Sequence, residues 1–168
     1  MRMVKEAEGT PWLDIRITRY LQLCERQRSG LASFTKEVNW LQYRGVIDID
    51  GNVNAWGLFW RLASGSVVFK VRSNYLNYYI TRMIPWEHYI PLEDDLRDFK
   101  NVTSIVTRNG SALNMLESIA SHALQLSKTI SYSSEIARVR NELNRLFYFS
   151  DRYIIQIHPN KTSEEEIF

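Results

Sequence analysis

The chain has 168 residues, of which 45% are hydrophobic and 24% charged, and this is typical of one globular domain with a core of its own. A formal net charge of +2 is too small to predict a nucleic-acid or membrane-surface partner, and no apolar run is long enough to span a membrane. A single cysteine, Cys24, excludes an internal disulfide, and the N-terminus lacks the apolar core of a signal peptide, so a cytoplasmic protein is expected.

The first part of the chain carries the patterns of one strand and two helices. Residues 1–10 are polar and are expected to be loose. Apolar and polar side chains alternate over residues 12–17, as they do in a half-buried strand. Helices are predicted over residues 18–27 and 33–43, with a Ser-Gly break between them.

The next part of the chain has a β-α-β pattern. Its short apolar run predicts a strand over residues 46–49, then a helix over 55–62, and the β-branched run predicts a second strand over 67–71. Strands that are joined through a helix run parallel, and ligands bind where such strands end and helices begin. The loop over residues 51–55 is therefore the predicted ligand site.

The rest of the chain is predicted to be mainly helical. The remaining elements are helices over 74–83, 96–108, 111–128 and 134–146, a short strand near 88–90, and a last strand or docked tail over 152–158. Together the patterns predict an α/β fold, a Rossmann-like three-layer domain with a mostly parallel sheet over residues 11–158, followed by an acidic tail over 159–168. No GxGxxG motif is present, which argues against a dinucleotide oxidoreductase.

Three segments of the chain carry a family resemblance. They are IDIDGN at residues 47–52, LASGSVV at 62–68, and PWEHYIP at 85–91 with Asp95-Leu96 after it. In order and approximate spacing they resemble the donor-binding half of glycosyltransferase family 90, which includes protein O-glucosyltransferases and lipopolysaccharide- or capsule-modifying transferases. The bacterial branch is the more similar one, because the animal enzymes typically have an arginine where Gly57 stands here.

The resemblance implies both an architecture and a reaction. It implies the C-terminal half of a GT-B glycosyltransferase, which transfers a hexose or pentose from a nucleotide-diphosphate donor, such as a UDP-sugar, to a hydroxyl, with inversion and without a metal or other cofactor. The acceptor would be a glycan or a protein, in cell-envelope polysaccharide synthesis such as lipopolysaccharide biosynthesis. The catalytic base belongs to the N-terminal half, which no part of this chain resembles. That half, or a partner subunit, is therefore an expected partner.

The resemblance also assigns a donor site around the loop that leads into the second predicted helix. Backbone N–H groups at such a position favour phosphate, Trp56 offers a ring that can stack on a base or sugar, and Arg61 offers a charge for the diphosphate. The predicted donor-binding residues are Gly51, Asn52, Val53, Asn54, Ala55, Trp56, Arg61, Ser64, Gly65 and Ser66.

Alternative interpretations remain open from the sequence. The chain is also compatible with a non-catalytic nucleotide-sugar-binding module, which is what a truncated half-enzyme would be. Asp48 and Asp50 mimic the DxD motif with which GT-A glycosyltransferases hold Mn²⁺ against the diphosphate, but the surrounding pattern does not fit that class, and no metal ligand is predicted. His88, His122 and His158 are interpreted as structural or surface residues.

Overall fold

A computed structural model describes residues 2–16, 31–51, 55, 57–75 and 78–147. The chain divides into two compact units, one over residues 1–130 and one that begins at Ser131. The predicted helix over 18–27, the predicted strand or tail over 152–158 and the acidic tail lie outside the described residues.

The first unit is built on a parallel sheet of three strands. These are β1 (Gly45–Asp48), β2 (Val67–Val71) and β3 (Ile90–Leu92), in the spatial order β1-β2-β3. The register sets Asp48 opposite Lys70 and Phe69 opposite Ile90. Helix α2 (Leu58–Ala63) connects β1 to β2, as the β-α-β pattern predicts. The α/β class and the parallel sheet are confirmed, whereas the likeness to half of a GT-B enzyme stays a prediction.

The core lies on both faces of the sheet, because all five residues of the central strand β2 are buried. Val67, Phe69 and Val71 pack with Phe99 and Leu116 in one cluster. On the other face Val46 and Val68 pack with Leu58 and Leu62 of α2 in a second cluster. Successive strand residues thus supply opposite faces, and α2 covers the face to which Val46 and Val68 point.

The other α-helices in the described ranges are α1 (Arg2–Ala7), α3 (Phe99–Thr103), α4 (Ser111–Thr129) and, in the second unit, α5 (Tyr132–Phe147). Helices α4 and α5 confirm the predictions for 111–128 and 134–146 to within two residues. No helix in the described ranges is both long and apolar enough to cross a membrane.

The N-terminal part differs from the prediction. The first ten residues were expected to be loose, but α1 forms there, Ala7 and Thr10 are buried, and Met3 packs against the first core cluster. Residues 13–16 are not a strand, and their alternation has another cause, since Leu13 and Ile15 pack against the core while Asp14 and Arg16 pair with each other.

Three predicted helices are shorter in the structure. Residues 33–43 contain only a 3-10 helix over Glu37–Gln42, which has no buried residue to stabilise it. Of the predicted helix over 74–83, the described residues 74–75 and 78–83 contain one 3-10 turn, Ile80–Arg82. The prediction for 96–108 begins too early, because the Asp98 carboxylate accepts the Glu93 N–H and closes a turn where the first helical turn was expected.

Candidate functional site

A buried ion triad lies at the carboxyl end of β1. The Asp48 side chain has no exposed surface, and its two oxygens bind the Arg61 Nη1 at 2.6 Å and the Lys70 Nζ at 3.2 Å. The two basic side chains are 16% and 9% exposed. The strand register brings Lys70 beside Asp48, and α2 carries Arg61 over the same face. One buried carboxylate therefore holds two cations from neighbouring elements.

The Arg61 guanidinium is fixed from two further sides. A Cβ atom at position 57 would lie 2.6 Å from Arg61 Nη1, so the guanidinium would have to shift if any other residue replaced Gly57. Arg61 Cζ also lies 5.2 Å from the centre of the Trp60 ring, in a cation–π contact, and Trp60 meets Trp40 edge to face. Arg61 is therefore a held, inward-facing side chain and does not belong to a solvated helix face.

Asp50 closes the loop that follows β1. Its Oδ1 accepts the backbone N–H of Ala55 at 2.5 Å, which ties the two ends of the segment together. Its Oδ2 is buried and has no hydrogen-bond partner, and the same is true of the Nε of Arg61. Among the described residues these are the two buried side-chain polar atoms that are left without a partner. Both belong to the carboxyl edge of the sheet.

The predicted donor-binding residues fall into three groups. Gly51, Ala55 and Arg61 belong to the carboxyl edge, around the triad and the Asp50 loop. At Gly51 a Cβ atom would meet nothing within 4 Å, so the backbone there is open to an approaching group. The residues that lie outside the described part of the chain are Asn52, Val53, Asn54 and Trp56.

The third group, Ser64, Gly65 and Ser66, lies at the opposite edge of the sheet, where β2 begins. Ser64 Oγ donates to the Arg61 carbonyl oxygen at 2.6 Å and accepts the Ser66 N–H at 3.1 Å. Ser66 Oγ donates to the Tyr43 carbonyl oxygen at 2.8 Å. These bonds join the end of α2 to the start of β2, and the structure does not bring this turn together with the loop after β1. Their role as donor contacts stays a prediction.

The triad bears on the DxD alternative. Mn²⁺ would need free carboxylate oxygens, but both oxygens of Asp48 already bind cations of the protein, and one oxygen of Asp50 holds the loop. No cluster of metal-ligating side chains occurs in the described ranges. Lys70 was missed by sequence reasoning, although a lysine inside the apolar run VVFKV was a visible signal that a buried anion stands nearby.

In the PWEHYIP segment, His88 has a structural role. His88 Nδ1 accepts the Ile84 N–H at 3.0 Å, which confirms that this histidine is a structural hydrogen-bonding group. The Trp86 side chain is half exposed, and its backbone has a positive φ of 65°. The turn that precedes β3 turns this ring outward.

Comparison with known proteins gives one family. The model of glycosyl transferase family 90 matches residues 5–129, a range that contains the whole sheet, the end of α1, helices α2 to α4 and the carboxyl-edge site. Protein O-glucosyltransferase 2 of Danio rerio is 34% identical over 102 residues, which cover 58% of this chain and 20% of that protein. Protein O-glucosyltransferase 3 of Rattus norvegicus and of Homo sapiens are each 28% identical over 92 residues, covering 54% of this chain and 18% of theirs. The chain thus spans about a fifth of the length of these relatives.

Proposed function

Because this chain belongs to glycosyl transferase family 90, we propose that it binds a nucleotide-diphosphate sugar and supplies the donor site for transfer of the sugar to a hydroxyl. The observation that carries the proposal is the family match over residues 5–129, which includes every residue of the ion triad and of the Asp50 loop. The relatives are protein O-glucosyltransferases, which supports a sugar nucleotide as the ligand class.

The position of the site supports this ligand. In open parallel sheets, ligands bind outside the carboxyl ends of the strands, and this is the edge at which Asp48, Arg61 and Asp50 stand. The leaving diphosphate gains negative charge during transfer, and preorganised donors stabilise such charge best. We assign that task to the loop over residues 51–55, with Arg61 fixed beside it by Asp48. The formal charges of the site cancel, because Arg61 and Lys70 stand against Asp48 and Asp50, so directed hydrogen bonds are expected to contribute more than net charge.

The proposed reaction also needs a catalytic base and an acceptor site. Inverting transfer requires a base that removes the proton of the acceptor hydroxyl, and the carboxylate Asp48 is occupied by two cations. We propose that the base and most acceptor contacts come from a separate part of the enzyme or from a partner subunit. A glycan or protein acceptor, a role in cell-envelope polysaccharide synthesis and a cytoplasmic location are part of the same proposal.

Calorimetric titration of the 168-residue chain with UDP-glucose, UDP-xylose and UDP tests the donor site. Binding of at least one of these ligands is expected, and it should survive EDTA, since hydrogen bonds from the protein and not a metal ion are proposed to stabilise the diphosphate. Absence of binding to every nucleotide would refute the proposal. Loss of binding in EDTA would instead support a metal bridge through Asp50.

The second candidate is a non-catalytic nucleotide-sugar-binding module, and it is supported by the site itself, where both oxygens of Asp48 already bind cations of the protein. Transfer assays separate the two. With the chain alone, transfer of labelled glucose from UDP-glucose to glycan or peptide acceptors should stay near background. Addition of the remaining part of a family 90 enzyme should raise transfer if the chain belongs to a catalyst, and should leave it at background if the chain is only a binding module.

A further inference from the structure

We infer that Asp50 and Arg61 together recognise a hydroxyl group of the bound nucleotide sugar, an inference that rests on the proposed function. Asp50 closes the loop after β1 and Arg61 is held by Asp48, and each of these contacts uses only one polar atom of the side chain. Their two unpartnered atoms, Asp50 Oδ2 and Arg61 Nε, indicate a different task.

The unpartnered atoms are unusual for their surroundings. Buried polar atoms in folded proteins nearly always have a hydrogen-bond partner, because an unpaired one forfeits its hydration without compensation. In the described part of the chain both exceptions belong to the same edge of the sheet. Asp50 closes the loop after β1 by accepting the Ala55 N–H. Arg61 pairs with Asp48, which lies two residues before Asp50 in the chain. Each side chain is thus anchored through one polar atom and has a second, buried polar atom without a partner.

The chemistry of the two atoms selects the ligand group. Asp50 Oδ2 accepts and Arg61 Nε donates, so a phosphate oxygen, which only accepts, cannot serve the carboxylate. A hydroxyl has one donor and two acceptor positions and can serve both atoms. A metal ion would satisfy the carboxylate but would be repelled by the guanidinium. The ribose and the transferred sugar of a nucleotide sugar both carry hydroxyls, and either could supply the group.

Titration of one variant with three ligands shows whether the recognised hydroxyl belongs to the ribose or to the transferred sugar. Asp50→Asn keeps an oxygen for the Ala55 N–H and replaces only the other atom by a donor. Titrations use UDP, 2′,3′-dideoxyuridine diphosphate and UDP-glucose with the wild type and this variant. If a ribose hydroxyl is recognised, the variant should bind UDP about tenfold or more weakly and the dideoxy analogue unchanged, since a hydrogen bond to a charged group has about that effect. If a glucose hydroxyl is recognised, only UDP-glucose should lose affinity.

Two outcomes would overturn the inference. Unchanged affinity for all three ligands would mean that an ordered water alone satisfies the two atoms. An equal loss for all three, the dideoxy analogue included, would mean that Asp50 acts only on the shape of the loop. If the wild-type chain binds no nucleotide at all, it is the proposed donor site that fails, so the two failures are distinguishable.

A second variant and a matched control complete the design. Arg61→Lys keeps a cation for Asp48 but removes the Nε group, and it should reduce the affinity for the same ligand that Asp50→Asn affects. Asp98→Asn makes the same chemical change at another half-buried loop carboxylate, where both oxygens already accept the Glu93 N–H. It should leave all three affinities at the wild-type values. A loss in Arg61→Lys that is confined to a different ligand would contradict the joint role of the two residues.

Discussion

Replacement of Asp48 by asparagine should destabilise the first unit strongly, because Asp48 is the counter-ion of two shielded cations. The substitution keeps the size of the side chain and removes its charge. Arg61, 16% exposed, and Lys70, 9% exposed, would then face each other without an anion between them. Breaking a buried ion pair by removing one partner costs about 3–5 kcal/mol. For a protein of this size such a loss lowers the thermal midpoint by roughly 10 °C.

Tryptophan fluorescence during urea and thermal unfolding measures this effect in the right unit, since all five tryptophans belong to residues 1–130. A double-mutant cycle tests the cause. Lys70→Met removes one cation and leaves Arg61 to pair with Asp48, so it should cost less than Asp48→Asn. In the double variant the Lys70→Met change should recover part of the loss, because one of the two uncompensated charges is gone.

The matched control is Asp14→Asn, the same change at a surface carboxylate that is 35% exposed and paired with Arg16. Exposed pairs contribute little, and the free energy of unfolding should change by no more than about 1 kcal/mol. If Asp48→Asn is no more destabilising than Asp14→Asn, or if the two changes in the double variant are simply additive, the triad does not act as a charge-balanced unit. The reasoning on Arg61 would then be refuted as well.

Three further predictions concern single positions. Gly51→Val should weaken UDP-sugar binding in calorimetry, because the added side chain blocks the close approach of the diphosphate to the backbone. The thermal midpoint should stay at the wild-type value, because a Cβ at Gly51 meets no neighbouring atom. Unchanged binding would exclude this loop as the diphosphate site. Gly65→Ala and Gly65→Leu should each lower the free energy of unfolding by about 1 kcal/mol and by the same amount. Gly65 has a φ of +77° and open space around a Cβ, so the loss comes from backbone strain and not from overpacking. A larger loss for leucine than for alanine in urea unfolding would indicate overpacking instead. The hydrogen bond from Tyr43 to the Asp14 carboxylate raises the pKa of Tyr43, and burial raises the pKa of Tyr89. The tyrosines of the unfolded chain therefore ionise first, and the free energy of unfolding should fall as the pH rises above about 10. In ultraviolet difference titration, Asp14→Asn should bring the pKa of Tyr43 back toward its ordinary value, and an unchanged titration would contradict the assigned cause.

Much of the candidate site follows from the sequence because it depends on local order. A β-α-β pattern places the end of β1 beside the end of β2, so residues after Asp48 were predicted to stand at the ligand edge. The same logic did not extend to Ser64, Gly65 and Ser66. They precede β2, and in a parallel sheet the residues before a strand belong to the edge opposite from those after it. The family resemblance covers both segments equally and does not separate the two edges.

The sequence by itself determined the elements whose signals are local and strong: the two apolar strands at 45–48 and 67–71, and the long helices α4 and α5. Tertiary structure decided the elements with weaker signals. Residues 74–83 carry a helical pattern, but Ser73 Oγ accepts the Tyr75 N–H and competes with helix formation, while Tyr79 and Met83 are buried in the second core cluster.

The tertiary structure also decided which charged side chains pair with each other at the site. Asp48, Arg61 and Lys70 are up to 22 positions apart in the chain, and only the register of β1 against β2 and the position of α2 bring them within hydrogen-bonding distance. A sequence pattern shows which side chains can ionise, but the partner of each buried charge depends on contacts between distant segments. For that reason Asp48 resembles a metal ligand in the sequence and is the anchor of two cations in the folded protein.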